Sequence, residues 1–310
     1  MIDLNDIRRD LPTGFVDMVE GRPAEGDLTG DEWLEVLPRL VRECAQEWDL
    51  RAVGPIRYGM CGLVVPVQSS RGGAAFKISW PHVEAKHEHL ALRAWDGQGA
   101  VRLLAADPNR CALLLELLDP DRELSTQDVD LSTEVIGRLL RRLDRPAMPQ
   151  LVRLSTESAR WAEQLRTYGT RVLPRRIVDR AAAIFTELGQ EDGVDSRLVH
   201  TDLHDMNVLA AEREPWLAID PKPIAGVPEF GVAPLVWNRA HEARQSHSIR
   251  AELRRRIEIA CDAGELDVDR AMLWTLARCA QNAAGEAEND VGVDDDMVSW
   301  WVTCCKAMQD

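Results

Sequence analysis

The chain has 310 residues, 45% of them hydrophobic and 29% charged, with a formal net charge of −15 at pH 7. That length suggests two lobes at about 150 residues per domain; no stretch approaches the ~18 apolar residues of a membrane span, and the polar start MIDLNDIRRD does not read as a signal peptide, so a cytoplasmic protein without a membrane partner is expected. The acidic balance argues against nucleic acid, which needs a basic face, and favours a neutral or cationic partner.

The seven cysteines form no CxxC pair and read as reduced, mostly buried thiols. Residues 1–30 carry scattered Gly, Pro and acids and read as a loose lead-in. From Asp31 to Trp48, Trp33, Leu34, Leu37, Leu40, Val41, Cys44 and Trp48 recur at helical spacing, with Pro38 as an interruption or kink. From Gly54 to Ser79 the pattern turns to strand: Val64, Val65 and Val67, then Ala74 to Ile78, separated by the turn Ser69-Ser70-Arg71-Gly72-Gly73. Val83–Trp95 reads as a helix ended by Asp96-Gly97-Gln98-Gly99. Strand-like Val101–Leu104 and Leu113–Leu118 follow. The remainder is amphipathic helix over Leu131–Leu143, Leu151–Leu165, Arg175–Leu188 and after Val232, broken by a β-rich island at Arg197–Asp220. Strands followed by a helical mass predict an α+β protein. An antiparallel β lobe with one helix is expected over residues 1–116, and a larger, mostly helical lobe over 117–310.

The island carries the chemistry. A short apolar strand, Leu198-Val199, runs into His200-Thr201-Asp202-Leu203-His204-Asp205-Met206-Asn207; a second strand leaves at Val208, and Trp216–Ile219 returns to end on Asp220. This puts Asp202, Asn207 and Asp220 at the ends of neighbouring strands. Phosphoryl transfer needs those residue types: one carboxylate to orient and deprotonate the attacking hydroxyl, and an amide oxygen with a second carboxylate to hold Mg²⁺ against nucleotide phosphates. The string His-x-Asp-x-x-x-x-Asn followed by a strand-borne Asp matches the kinase catalytic loop in order and context. A rival reading takes His200, Asp202 and His204, at alternate positions, as metal ligands of a hydrolase.

Such a site also needs a cation for the phosphates, fixed by an acid. Lys77 takes the strand face opposite Phe76 and Ile78. Glu84 and Glu88 share one helical stripe with Leu92 and Trp95, and either can reach Lys77; Glu88, nearer the apolar end of the stripe, is preferred. Tyr58–Val64 would cover the phosphates, although no GxGxxG loop is present there and no P-loop anywhere. Leu114-Leu115-Glu116-Leu117 reads as the connection between lobes, with the Glu116 and Leu117 backbone against the adenine edge. Acidic groups on the C-terminal helices would suit a cationic acceptor, and Glu242, Asn282 and Glu286 are the candidates.

His200–Asn207, Trp216-Leu217-Ala218-Ile219-Asp220-Pro221-Lys222-Pro223 and Ala94-Trp95-Asp96-Gly97-Gln98-Gly99-Ala100-Val101-Arg102-Leu103-Leu104 resemble the aminoglycoside/hydroxyurea antibiotic-resistance kinases. That group includes streptomycin 6-kinases and hydroxyurea phosphotransferases. The resemblance runs from about residue 30 to 245. It implies a protein-kinase-like bilobal fold, ATP and Mg²⁺ as cosubstrates, and an antibiotic as acceptor, with streptomycin first and hydroxyurea or another small metabolite as the alternative. It carries the catalytic base over to Asp202, the metal ligands to Asn207 and Asp220, and the phosphate-gripping pair to Lys77 and Glu88. This chain departs from the family at Thr201 (usually Gly), Asp205 (often Pro) and Gly231 (often Asp). A non-catalytic, kinase-like nucleotide-binding protein is the reading of another class, and oligomeric state is left open between monomer and homodimer.

Overall fold

The lead-in is partly helical rather than loose in the computed structural model, which describes residues 2–288 and 295–309. A 3₁₀ turn spans Ile7–Asp10 and helix α1 spans Thr13–Val19. Its few apolar residues are anchors: Ile7, Phe15 and Val19 are fully buried, and the Phe15 ring meets Trp33 edge-on at 6.0 Å.

The chain divides into two units, Met1–Asp119 and Pro120–Asp310. In the first, α2 (Gly30–Glu47) starts at a capping box: the Thr29 side chain accepts from the Glu32 N–H, and Glu32 accepts from the Thr29 N–H at 2.9 Å. Pro38 lies inside α2 without ending it. Trp33, Leu37, Val41 and Cys44 form its buried stripe. The strands β1 (Arg51–Ala52), β2 (Arg57–Tyr58), β3 (Gly62–Ser69) and β4 (Gly72–Ser79) are followed by α3 (Glu88–Trp95), then β5 (Leu103–Asp107) and β6 (Ala112–Glu116). They form one antiparallel sheet in the order β1-β3-β4-β6-β5, with β2 also paired to β3. The β3–β4 turn is closed at Ser69↔Gly72, where Gly72 takes φ 103°, a conformation glycine adopts without strain. The helix expected over Val83–Trp95 is shorter, because a 3₁₀ turn at Ala85–His87 precedes α3 and His87 leaves helical geometry (φ −113°, ψ 6°).

Strand β7 (Asp119–Glu123) begins on the last residue of the first unit and runs into the second, which continues with α4 (Val129–Arg142), β8 (Arg145–Pro146), α5 (Leu154–Tyr168) and α6 (Arg175–Leu188). Next come β9 (Arg197–His200), β10 (Val208–Ala210), β11 (Leu217–Ala218) and β12 (Pro223–Gly226). The rest is α7 (Pro234–Trp237), α8 (Ala240–Gln245), α9 (Ile249–Gly264), α10 (Val268–Glu288) and α11 (Asp295–Ala307). Two three-stranded sheets, β11-β10-β7 and β12-β9-β8, carry the loop between β9 and β10. Helices α4 and α9 cross closely at Gly137, where a Cβ would lie inside contact distance of the Ala260 carbonyl oxygen and 2.9 Å from Ala260 Cα. Phe230 stacks on Trp161 (centroids 5.8 Å apart) and meets Trp274 edge-on at 5.4 Å. All seven cysteines are free thiols, five of them buried. No described helix is long and apolar enough to cross a membrane.

Candidate active site

Strand β9 ends on His200, which is fully buried and joined to both neighbours of the loop. Its Nε2–H donates to the Ile219 carbonyl at 3.1 Å, and its Nδ1 accepts the Asp202 N–H at 3.2 Å. Burial pushes its pKa down to about 4, so the ring is neutral, as that pattern of one donor and one acceptor requires. Both ring nitrogens are committed to protein groups, which removes His200 from any metal-ligand reading.

Asp202 is held on several sides. Its N–H goes to His200, and its carbonyl accepts from Asn207 Nδ2 at 2.9 Å. Its carboxylate Oδ2 lies 2.8 Å from Lys222 Nζ. Asn207 Nδ2 also lies 3.1 Å from His204 Nε2, a contact in which Nε2 accepts and which assigns the single N–H of neutral His204 to Nδ1. Burial holds His204 below the ordinary histidine pKa. With its amide hydrogens so placed, Asn207 presents Oδ1 as the remaining acceptor. Asp220 follows Ile219, whose N–H donates to the Asn207 carbonyl at 2.9 Å, so the two oxygen-bearing side chains come from adjacent strands. Asp220 adopts φ 51°, a left-handed conformation that turns the chain out of β11. An amide oxygen and a carboxylate are hard donors that fit Mg²⁺, which binds through one or two carboxylates plus phosphates rather than in an all-protein cage. Among the described residues, no group of three or more His, Cys, Asp or Glu is arranged to hold a metal ion.

Thr201, Asp205 and Gly231 are each tied into the surroundings of the loop. Thr201 donates its hydroxyl (2.8 Å) and its N–H (3.1 Å) to the Lys222 carbonyl, tying the loop to the segment leading into β12. Asp205 is buried, and its charge faces Arg239 Nη1 at 3.5 Å. Arg239 itself sits at φ 53° and donates to the Gln127 carbonyl at 2.9 Å, to Ser132 Oγ at 3.2 Å and to Glu242 Oε1 at 2.8 Å. Gly231 leaves no gap: an added Cβ would lie 3.1 Å from Leu140 Cδ2 and 3.2 Å from both the His200 carbonyl oxygen and Val199 Cγ1.

In the first unit, Lys77 pairs with Leu113 on β6 and Val64 on β3, and its side chain lies under α3. Its Nζ stands 2.7 Å and 2.8 Å from the two Glu88 carboxylate oxygens. Glu88 is the first residue of α3, while Glu84 precedes the 3₁₀ turn. Glu116 donates its N–H to the Arg102 carbonyl (2.9 Å) and accepts the Arg102 N–H on its carboxylate (3.1 Å), so its own N–H is engaged within the sheet region; Leu117 is exposed. Of the three acceptor-side candidates, Glu242 reaches the catalytic loop through Arg239. Asn282 is half-buried and Glu286 exposed on α10, a stretch that lies with α5, where Gln164 donates to Glu288 at 2.6 Å.

Two residues of the loop's surroundings escaped sequence reasoning, Lys222 and Arg239. Lys222 had a signal, since Pro221 and Pro223 fix the backbone on both sides two residues after Asp220. Arg239 had none, because a left-handed arginine carries no mark in a sequence.

Residues 47–290 match the family model of aminoglycoside/hydroxyurea antibiotic resistance kinases. The chain is 40% identical over 285 residues to a hydroxyurea phosphotransferase of Kitasatospora aureofaciens, covering 88% of this chain and 80% of that one. It is 38% identical over 278 residues to a streptomycin 6-kinase of Streptomyces griseus, covering 88% and 90%. A choline/ethanolamine kinase family protein from Mesorhizobium loti superposes with a TM-score of 0.59 at 15% identity, over 87% of this chain and 94% of that one, which shows a shared protein-kinase-like fold. The chain belongs to the aminoglycoside/hydroxyurea antibiotic resistance kinase family and is a small-molecule phosphotransferase.

Proposed function

We propose that this protein inactivates an antibiotic by transferring the γ-phosphoryl group of ATP to one of its hydroxyl groups, with an aminoglycoside such as streptomycin as the first candidate. The observation that carries the reading is the hold on Asp202, whose N–H donates to His200, whose carbonyl accepts from Asn207 and whose carboxylate faces Lys222, within a loop of the kinase pattern. Asp202 accepts the hydroxyl proton and aims the oxygen; a rigidly held base favours the near-attack geometry from which reaction proceeds. Asn207 Oδ1 and Asp220 would hold Mg²⁺, whose contribution when bound is to neutralise charge on the phosphates. Lys77, fixed by Glu88, is the nucleotide-phosphate cation of the first unit, and the Glu116–Leu117 backbone is its adenine-facing segment. The net charge of −15 favours a cationic acceptor by long-range attraction.

Hydroxyurea is a second acceptor with a specific observation behind it: the relative named for it is 40% identical, against 38% for a streptomycin kinase, so similarity alone does not choose between them. The experiment is ADP release with Mg-ATP across streptomycin, other aminoglycosides, hydroxyurea and amino sugars, with Asp202→Asn as control. Turnover with one acceptor, lowered about 10²–10⁴-fold in the variant with a much smaller change in ATP affinity, is expected. Full activity of Asp202→Asn would falsify the assignment of the base.

A further inference from the structure

We propose that Lys222 is a second phosphoryl-binding cation, placed on the acceptor side of the transfer, where it touches both Asp202 and the phosphoryl group in flight. This inference rests on the reading of Asp202 as the base. Its first support is distance. The Lys222 ammonium stands 2.8 Å from Asp202 Oδ2. A hydroxyl bonded to that carboxylate lies about one hydrogen bond away, and the phosphorus it attacks lies roughly 3–3.5 Å beyond. The phosphoryl oxygens therefore fall within the reach of a four-carbon side chain, and an ammonium donates in three directions, so it can bridge two anions at once.

The second support is anchoring. The Lys222 carbonyl accepts both the N–H and the hydroxyl of Thr201, next to Asp202. Pro221 and Pro223 flank it, and Pro223 pairs with His200 across β9 and β12. The root of the side chain is thus as fixed as the catalytic loop itself. Access is the third support. The Lys222 side chain is 32% exposed, where that of Lys77 is 10% exposed, so a ligand can reach it. The last is electrostatic. A carboxylate beside an incoming phosphoryl group is a pair of like charges, and a cation shared between them offsets the repulsion. In the step itself the acceptor O–P bond forms, the bond from phosphorus to the β,γ-bridging oxygen of ATP breaks, the hydroxyl proton passes to Asp202, and ADP leaves; Lys222 gives up no proton.

The test compares Lys222→Met, Lys222→Arg, Asp202→Asn and the double variant Asp202→Asn/Lys222→Met. The readouts are thermal midpoint, kcat and ATP KM, with streptomycin or hydroxyurea as acceptor and acceptor-free ATP hydrolysis in parallel. Lys222→Met should lower kcat about 10²–10³-fold, the loss typical of one transition-state donor, with ATP KM and thermal midpoint little changed. Lys222→Arg should recover at least about a tenth of the loss, since it keeps a cation of similar reach at the same position. In the Asp202→Asn background, Lys222→Met should lower the residual turnover further, because a residue acting only through Asp202 has nothing left to lose there. An unchanged kcat in Lys222→Met, or no further loss in the double variant, overturns the inference while leaving Asp202 as base. A fully active Asp202→Asn overturns the underlying reading and the inference with it.

Discussion

Replacing Glu88 by alanine removes the carboxylate that faces Lys77 at 2.7 Å and 2.8 Å. The two side chains are only 10% and 5% exposed, so neither salt nor solvent replaces the lost charge effectively. Breaking a buried pair from one side costs about 3–5 kcal/mol, whether the ammonium stays charged in a poor solvent or gives up its proton. At roughly 3–5 °C per kcal/mol for a unit of this size, the melting midpoint of the first unit should fall by about 10–20 °C. The double variant Lys77→Met/Glu88→Leu removes both charges and keeps the volume apolar; its stability should return to within about 1–2 kcal/mol of wild type. Phosphotransfer should stay absent in that variant, separating the ion pair's chemistry from its contribution to folding. Calorimetry of wild type, single and double variants measures this. A Glu88→Ala midpoint within about 3 °C of wild type, or a double variant as unstable as the single, refutes the burial argument.

His200 sets a pH dependence of folding. It is neutral in both states above its unfolded pKa of 6.5; below that, the unfolded chain binds a proton that the folded chain refuses until about pH 4. Stability should therefore fall as pH falls from 6.5 towards 4, by about 3 kcal/mol in total from this group. Urea midpoints between pH 7.5 and 5 should drop more steeply for wild type than for His200→Gln, and identical slopes would contradict it. Gly137→Ala should destabilise the second unit by about 1–3 kcal/mol despite the better helix propensity of alanine, because the added methyl meets the α9 backbone at Ala260. A stabilised variant in a urea titration would mean that α4 and α9 separate at little cost.

The β3–β4 hairpin and α6 were legible because their periods are unambiguous: valines and alanines alternate around a Gly-Gly turn, and Arg175–Leu188 buries one clean stripe. The same alternation put Lys77 opposite Phe76 and Ile78. Which glutamate meets it was a question of where the helix starts, and that depends on His87 breaking geometry, which no periodicity encodes. The lead-in misled because helix α1 and the Ile7 turn are too short to show a period, and are held by only two and one buried side chains respectively. Strand β12 was missed because Pro223 and Gly226 suppress a strand signal; it survives as the partner of β9, with proline at its first position. The triple hold on Asp202 combines residues 200, 207 and 222, and pairing across strands rather than spacing along the chain brings the last of them in.

Gly231 makes exchange at its position directional. Leu140, Val199 and the His200 carbonyl close on it to 3.1–3.2 Å of where a Cβ would stand. Any side chain there would bring its Cβ against two apolar side chains and a backbone oxygen, each of which must give by a few tenths of an ångström. A smaller residue at position 140 or 199 would ease the entry of a side chain here, so the order in which changes accumulate bears on which of them survive. A residue without a side chain thus constrains the evolutionary paths open to the catalytic loop, and a single substitution there reports on its neighbours as much as on itself.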